Sequence, residues 1–268
     1  MFDDYPKSSD PGATDRVDAL LTSAERKKNH GYADSHGFME SYLAYADINT
    51  HGLDVAAGTP IQGGEDYSWS LVWQDSSVYL NTSPGMAVSP DGSKLTIIYG
   101  TRSDPNTKNQ FFETIYNGST WTQASEGGNL QALRLSSASR PALSVLNGTL
   151  YLCSQQNNSN HQLFIYKSTD GVNWSFVEQF SALALGGGAQ MVTWQNQLVL
   201  ANQQNNSNHA LFIFSSPDGV NWYAQEYPNY RMGADPGLAL YNGGVSLVFR
   251  ANDSGAALYG SWTNGYTN

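Results

Sequence analysis

Two identical heptapeptides, Gln-Gln-Asn-Asn-Ser-Asn-His, end at His161 and His209, so Asn157, Asn158, Asn160 and His161 stand in register with Asn205, Asn206, Asn208 and His209. Amide and imidazole groups supply hydrogen-bond donors and acceptors without a fixed charge, which suits a hydroxyl-rich ligand. A carbohydrate or glycoconjugate is therefore the partner class that these residues imply. The competing reading is that Asn-rich segments make good turns and need no ligand. One histidine per segment, without neighbouring carboxylates or thiolates, is a poor metal-binding set, and no metal or cofactor is expected.

A second pair of residues emerges when SRPALSVLNG is aligned with ADPGLALYNG. Arg140 and Asp235 then occupy equivalent places before an apolar run, with Ser83 and Gly188 in the matching places elsewhere. They either line a channel mouth, as polar groups or a salt bridge, or contact an anionic or polyhydroxy ligand. Hydrolysis of a glycoside would need two carboxylates across a cleft. Asp235, with Arg140 beside it, is the catalytic candidate in that case, and Glu65, Asp66, Glu113 and Glu126 are the carboxylates available to pair with it. Tyr99, Tyr151, Trp194 and Tyr241 are the aromatic candidates for stacking on a sugar. The sole cysteine, Cys153, has Ala201 as its counterpart and reads as a buried structural thiol.

The heptapeptides sit within a longer repeat. Twenty-seven residues from Leu150 recur from Leu198 with 18 identities at a spacing of 48. That period, with runs rich in β-branched and aromatic residues, fits one four-stranded propeller blade. In the best unit the runs Pro141 to Asn147, Thr149 to Gln155, Gln162 to Ser168 and Trp174 to Phe180 are divided by Asn-Gly, the Asn-rich segment and Thr-Asp-Gly-Val-Asn, all of them turn chemistry. Similar units precede and follow, at roughly 31–81, 82–130, 137–184, 185–230 and 231–268. The first unit is irregular: ESYLAYAD, SWSLVWQ and SVYLNT read as strands around a long polar loop, INTHGLDVAAGTPIQGGEDY, and its inner strand is placed near HGYADSHGF. The expected fold is all-β, a single five-bladed propeller of four-stranded antiparallel blades, closed so that no sheet edge is left open. Within the N-terminal extension, 1–30, the stretch from Thr14 to Asn29 has the apolar stripe Val17, Leu20, Leu21 and Ala24 of a short amphipathic helix.

Ser168-Thr-Asp-Gly-Val-Asn-Trp174 and Ser216-Pro-Asp-Gly-Val-Asn-Trp222 resemble the Asp-box, or BNR repeat, of sialidase-like propellers. The resemblance implies that Asp170 and Asp218 lie at the turn between the third and fourth strands of a blade, away from the ligand-binding face, in a structural role. In such a meander the connections alternate between the two ends, so the QQNNSNH segments fall opposite these turns. The resemblance carries no catalytic residues over: a sialidase-like site needs an arginine triad, and Arg102, Arg134, Arg140, Arg231 and Arg250 show no spacing that converges. In length and period the chain is also similar to five-bladed tachylectin-type lectins.

Composition narrows the partners. The net charge of -10 and a pI near 4.7 repel phosphate backbones, so nucleic acid is not expected. No run approaches the roughly 18 apolar residues of a membrane span, and the start MFDDYPKSSDPG has no apolar signal segment, so a cytoplasmic origin is expected. The leading expectation is a non-catalytic, lectin-like propeller in which repeated weak sites engage one glycan surface together. A sialidase-like glycoside hydrolase and a protein-binding scaffold remain open alternatives, and the oligomeric state is left open.

Overall fold

The computed structural model describes residues 41–47, 49–60, 67–80, 82–89, 92–101, 111–122, 128–133, 135, 139–156, 159–205, 208–241, 244–252 and 258–263. They form five antiparallel sheets in chain order. The first holds β1 (Ser41–Ala46), β2 (Leu53–Pro60) and β3 (Tyr67–Asp75). The second holds β4 (Gly85–Val88), β5 (Leu95–Gly100), β6 (Phe111–Tyr116) and β7 (Trp121–Thr122). The third runs β8 (Ala142–Leu146), β9 (Thr149–Gln155), β10 (Gln162–Ser168) and β11 (Ser175–Ala184). The fourth runs β12 (Gln190–Trp194), β13 (Gln197–Gln203), β14 (Ala210–Ser216) and β15 (Tyr223–Arg231), and the fifth has β16 (Gly237–Tyr241), β17 (Gly244–Arg250) and β18 (Leu258–Thr263).

Each sheet is a meander, so consecutive strands pair with their neighbours, and the third and fourth sheets keep one register. Cys153 pairs with Ala142 and Ile165, and its repeat counterpart Ala201 pairs with Gln190 and Ile213. Cys153 is fully buried, and burial pushes its thiol well above the usual range. The hairpin between β8 and β9 turns on Asn147 and Gly148, both at positive φ (48° and 82°), the backbone demanded by a two-residue loop that matches strand twist. Its counterpart uses Gln195 and Asn196 at 48° and 59°, without a glycine.

Four buried clusters lie between successive sheets. Tyr42, Leu53 and Val55 pack on Met86, Leu95 and Ile97; Ile98 and Phe111 pack on Leu143, Leu152 and Phe164. Leu163 and Ile165 pack on Leu198, Leu200 and Phe214, and Ala201 and Leu211 pack on Leu238, Val245 and Phe249. Burying one such leucine or phenylalanine contributes about 1.5–3 kcal/mol, so the interfaces between sheets carry the core. The inner strands β4, β8, β12 and β16 touch in sequence, which orders the sheets around a common axis.

Two expectations change. LDVAAGTP, expected inside a polar loop, is strand β2, paired with both β1 and β3. SVYLNT, expected as a strand, contributes a single bridge at Leu80, to Thr101. At the C-terminal end, β18 runs through Trp262 and Thr263, which pair with Ser246 and Val245. The inner strand expected near HGYADSHGF and the helix over Thr14 to Asn29 lie outside the described residues; the only helical element among the described ones is the 3-10 turn Leu130–Ala132.

Candidate functional site

One end of the sheets is built from side-chain oxygens. Asp170 Oδ1 accepts the backbone N–H of Val172 and of Asn173, both at 2.8 Å, and the Ser168 hydroxyl, while Oδ2 accepts the Asn173 amide at 2.8 Å. Asp218 repeats this with Val220 at 2.8 Å and Asn221 at 2.7 Å. Gly171 and Gly219 take the positive φ that the reversal needs, 80° and 74°. Partial burial pulls the Asp170 carboxyl upward, but the hydrogen bonds led by Asn173 outweigh it and hold the group well below the usual carboxylate range. At Asp218 the Asn221 N–H and amide lead, with the same result. Trp174 is buried beneath the first turn, its backbone N–H given to Asn129 Oδ1 and its carbonyl taken by Asn129 Nδ2, both at 2.7 Å. We call this the Asp-turn end.

The opposite end is built from backbone carbonyls. His161 and His209 have φ of 52° and 50°, and their carbonyls accept the N–H of Leu185 at 2.7 Å and of Met232 at 2.9 Å. Those two residues lie on the connections that lead into β12 and β16, where they bridge to Gln204 and Ala251. Gln155 Nε2 donates to the Leu185 carbonyl at 2.8 Å, and Gln203 Nε2 makes the same bond to Met232. Asn160, Asn205 and Asn208 are exposed, and the His161 and His209 side chains are half-buried. Asn157, Asn158 and Asn206 lie outside the described residues. The topology therefore sets the QQNNSNH segments opposite the Asp-turns. This is the His-loop end.

The structure adds a third member that sequence reasoning missed. His51, between β1 and β2, has φ 58°, and its carbonyl accepts the N–H of Leu80 at 2.8 Å. Leu80 in turn bridges to Thr101, as Leu185 does to Gln204. Asp47 stands where Gln156 and Gln204 stand, its N–H closing the loop on the Gly52 carbonyl as theirs close on Gln162 and Ala210. Asp47 Oδ1 also accepts the N–H groups of Asn49 and Thr50, at 2.9 and 2.7 Å, and the Thr50 contact leads in lowering its pKa. The usable signal was Asn-Thr-His-Gly-Leu before an apolar run, matching Ser-Asn-His-Gln-Leu, one residue short of the other loops and so hidden in a long polar stretch.

Arg140 and Asp235 do come together, at the same end near the axis. Arg140 is 3% exposed and its Nη2 donates to the Pro236 carbonyl at 2.7 Å, reaching from the start of β8 to the start of β16. Asp235 Oδ1 accepts the Gly188 N–H at 2.7 Å. A Cβ on Gly188 would lie 2.5 Å from Asp235 Oδ2 and 2.6 Å from Arg140 Cβ, so only glycine fits between them. Both side chains thus pack around Gly188, with Asp235 half-buried.

Three of the four expected stacking aromatics are elsewhere. Tyr99 is fully buried, and burial pushes its phenol up to about 12. Tyr151 is 5% exposed and gives its hydroxyl to the Asp218 carbonyl at 3.2 Å, which places it at the Asp-turn end. Trp194 packs against the core between the fourth and fifth sheets, at the wrong end of β12, and the Tyr241 side chain lies outside the described set. A pocket of about 250 Å³ opens at the Asp-turn end among Lys94, Thr96, Gly148, Leu150 and Asp170, but both oxygens of that carboxylate are engaged within its own turn.

Antiparallel sheets packed face to face in chain order, with inner strands in contact around an axis, define a β-propeller with one end stapled by side chains and the other by backbone carbonyls. Glycosyl hydrolases family 32 N-terminal domain is the family to which the chain belongs, matched over residues 60–263. None of the curated proteins matches it. Among solved structures, the six-bladed lectin of Aleuria aurantia, described for its fucose recognition, shares 15% identity over 87% of this chain and 74% of its own, with a TM-score of 0.57. The exo-β-1,3-galactanase of Phanerochaete chrysosporium with galactose shares 10% over 84% of this chain and 57% of its own, at 0.53. The sialidase of Trypanosoma rangeli shares 12% over 81% of this chain and 42% of its own, at 0.53. The chain thus spans less than two thirds of the galactanase and of the sialidase, and these likenesses are ones of fold.

Proposed function

We propose that this protein is a carbohydrate-binding propeller that holds hydroxyl-rich glycans at repeated sites on its His-loop end. The observation that carries this reading is the threefold recurrence of one loop geometry at His51, His161 and His209. In each loop the tie to the next connection is a backbone carbonyl, which glycine at positive φ could supply as well. The recurrence of an imidazole at that place, beside exposed amides such as Asn160 and Asn208, supports a hydroxyl-rich ligand because these groups donate and accept without a fixed charge. Family membership and the likeness to lectin and glycosidase folds agree with a sugar as ligand, and the Ser-x-Asp-Gly-x-x-Trp turns support a kinship with Asp-box propellers.

A second reading, glycoside hydrolysis at the axial mouth, draws on the same family match and on the meeting of Arg140 with Asp235. It needs a second carboxylate across from Asp235. A glycan array run beside a glycosidase substrate panel separates the two. Binding without turnover, lost in the His161→Gly/His209→Gly protein, is the expected result. Turnover that disappears in a folded Asp235→Asn protein would replace binding with hydrolysis.

A further inference from the structure

The three loops are alike in backbone but not in what lies next to them. Each connection carries a bridging residue, Leu80, Leu185 or Met232, and the residue just before it is Tyr79, Ala184 or Arg231. In two of the three, that residue's carbonyl is tied to the loop of the next sheet: Asn205 N–H donates to Ala184 at 2.8 Å and Asn252 N–H to Arg231 at 2.9 Å. In those two the preceding residue therefore stands between the His loop of one sheet and the start of the corresponding loop of the next. At the first interface it is an aromatic. Tyr79 is 40% exposed and lies against the exposed His51 ring in a tilted pair, centroids 4.4 Å apart and planes inclined by 32°.

Resting on the carbohydrate reading above, we infer that the position before each bridging residue sets what its site accepts, and that the Tyr79–His51 site takes a neutral pyranose by its apolar C–H face. Two coupled flat rings, open to solvent and flanked by polar loop groups, offer an apolar platform with polar groups at its edge. A galactose-configured ring presents such a face, because its C3, C4 and C5 hydrogens lie on one side. Ala184 has no ring to offer, and Arg231 replaces the platform with a cation, so neither of the other two sites can hold a sugar by stacking on this position. Among the described loops, one site of the three has a stacking member. The contact also orders His51, whose exposed imidazole has Tyr79 against one side.

The test is an NMR titration of the full chain with methyl β-D-galactopyranoside, following the imidazole signals of His51, His161 and His209. The expected result is a shift of the His51 signals, unchanged in affinity for Tyr79→Phe and weakened roughly tenfold for Tyr79→Ala, the size of one aromatic contact. Because Tyr79 is exposed, both variants are expected to unfold at the wild-type denaturant concentration, which excludes misfolding as the cause. Equal affinity in the Tyr79→Ala protein overturns the inference. So does a titration in which His161 or His209 responds and His51 does not, and that outcome leaves the carbohydrate reading standing. Silence at all three histidines, together with an empty glycan array, overturns both.

Discussion

The Asp-turn end and the His-loop end come from the same duplicated segment, yet they hold the chain by opposite means. At Asp170 and Asp218, carboxylate oxygens gather N–H groups from residues two and three places on, so each turn is closed within itself and its side chains are consumed by the fold. At His51, His161 and His209, the backbone carbonyl reaches across to the next connection, so the loop is fixed from outside by an atom that every residue type carries. Identity between repeats therefore means different things at the two ends. At the first it is required by local hydrogen bonding; at the second the carbonyl tie demands no particular side chain, and the shared imidazoles are where binding chemistry is to be sought.

The comparison is broken most severely at Gly219. Its φ of 74° disfavours any side chain, and a Cβ there would overlap the Tyr151 ring of the neighbouring sheet. Left-handed strain together with overpacking gives an expected loss of about 3 kcal/mol for Gly219→Ala in urea unfolding. The equivalent Gly171→Ala has as its tightest contact Thr96 Oγ1 at 3.0 Å, an atom at the end of a side chain, and should lose about 1–2 kcal/mol. Equal losses would show that the two Asp-turns are not seated differently on their neighbours.

Asp170→Ala comes next, with an expected loss of about 1 kcal/mol, since the turn is exposed and water replaces part of what is lost. Its pH dependence has a definite sign. The folded carboxyl lies below its unfolded value, so its contribution is complete above the ordinary carboxylate pKa of about 4 and is lost as pH falls through the folded value. The gap between wild type and Asp170→Ala should therefore be constant from about pH 7 to about pH 5 and shrink below that. A gap that instead widened in acid would mean that the carboxylate is not what holds the turn.

Much of this division was legible in the sequence. Asp-Gly-Val-Asn-Trp announces a self-closing turn through its residue types alone, and the alternation of a meander places QQNNSNH at the other end without any coordinates. Strand β2 was not legible, because Leu53-Asp-Val-Ala-Ala-Gly-Thr-Pro60 has little intrinsic strand preference; its pairing on both sides and the burial of Leu53 and Val55 overrule that. Losing that strand hid His51. The stacking aromatics failed for a related reason: Tyr99 and Tyr151 sit in strands packed on both faces, where ring type says nothing about exposure. Tyr79, the exposed ring, lies outside any strand, at a place defined only by a hydrogen bond between loops.

The smallest stability change is expected where the functional change is greatest. In the His161→Gly/His209→Gly protein both carbonyls keep their bonds to Leu185 and Met232, and glycine is at ease at φ near 50°. The relief of left-handed strain is offset by the greater freedom of glycine in the unfolded chain, so stability should stay within about 0.5 kcal/mol of wild type. Glycan binding should nevertheless fall by more than about tenfold, because removing two members of a multivalent set removes their avidity as well as their contacts. A drop in stability comparable to that of Asp170→Ala would show that the imidazoles belong to the fold as the carboxylates do. The two ends would then differ only in which atoms they use, and the case for reading the repeated loops as binding sites would be gone.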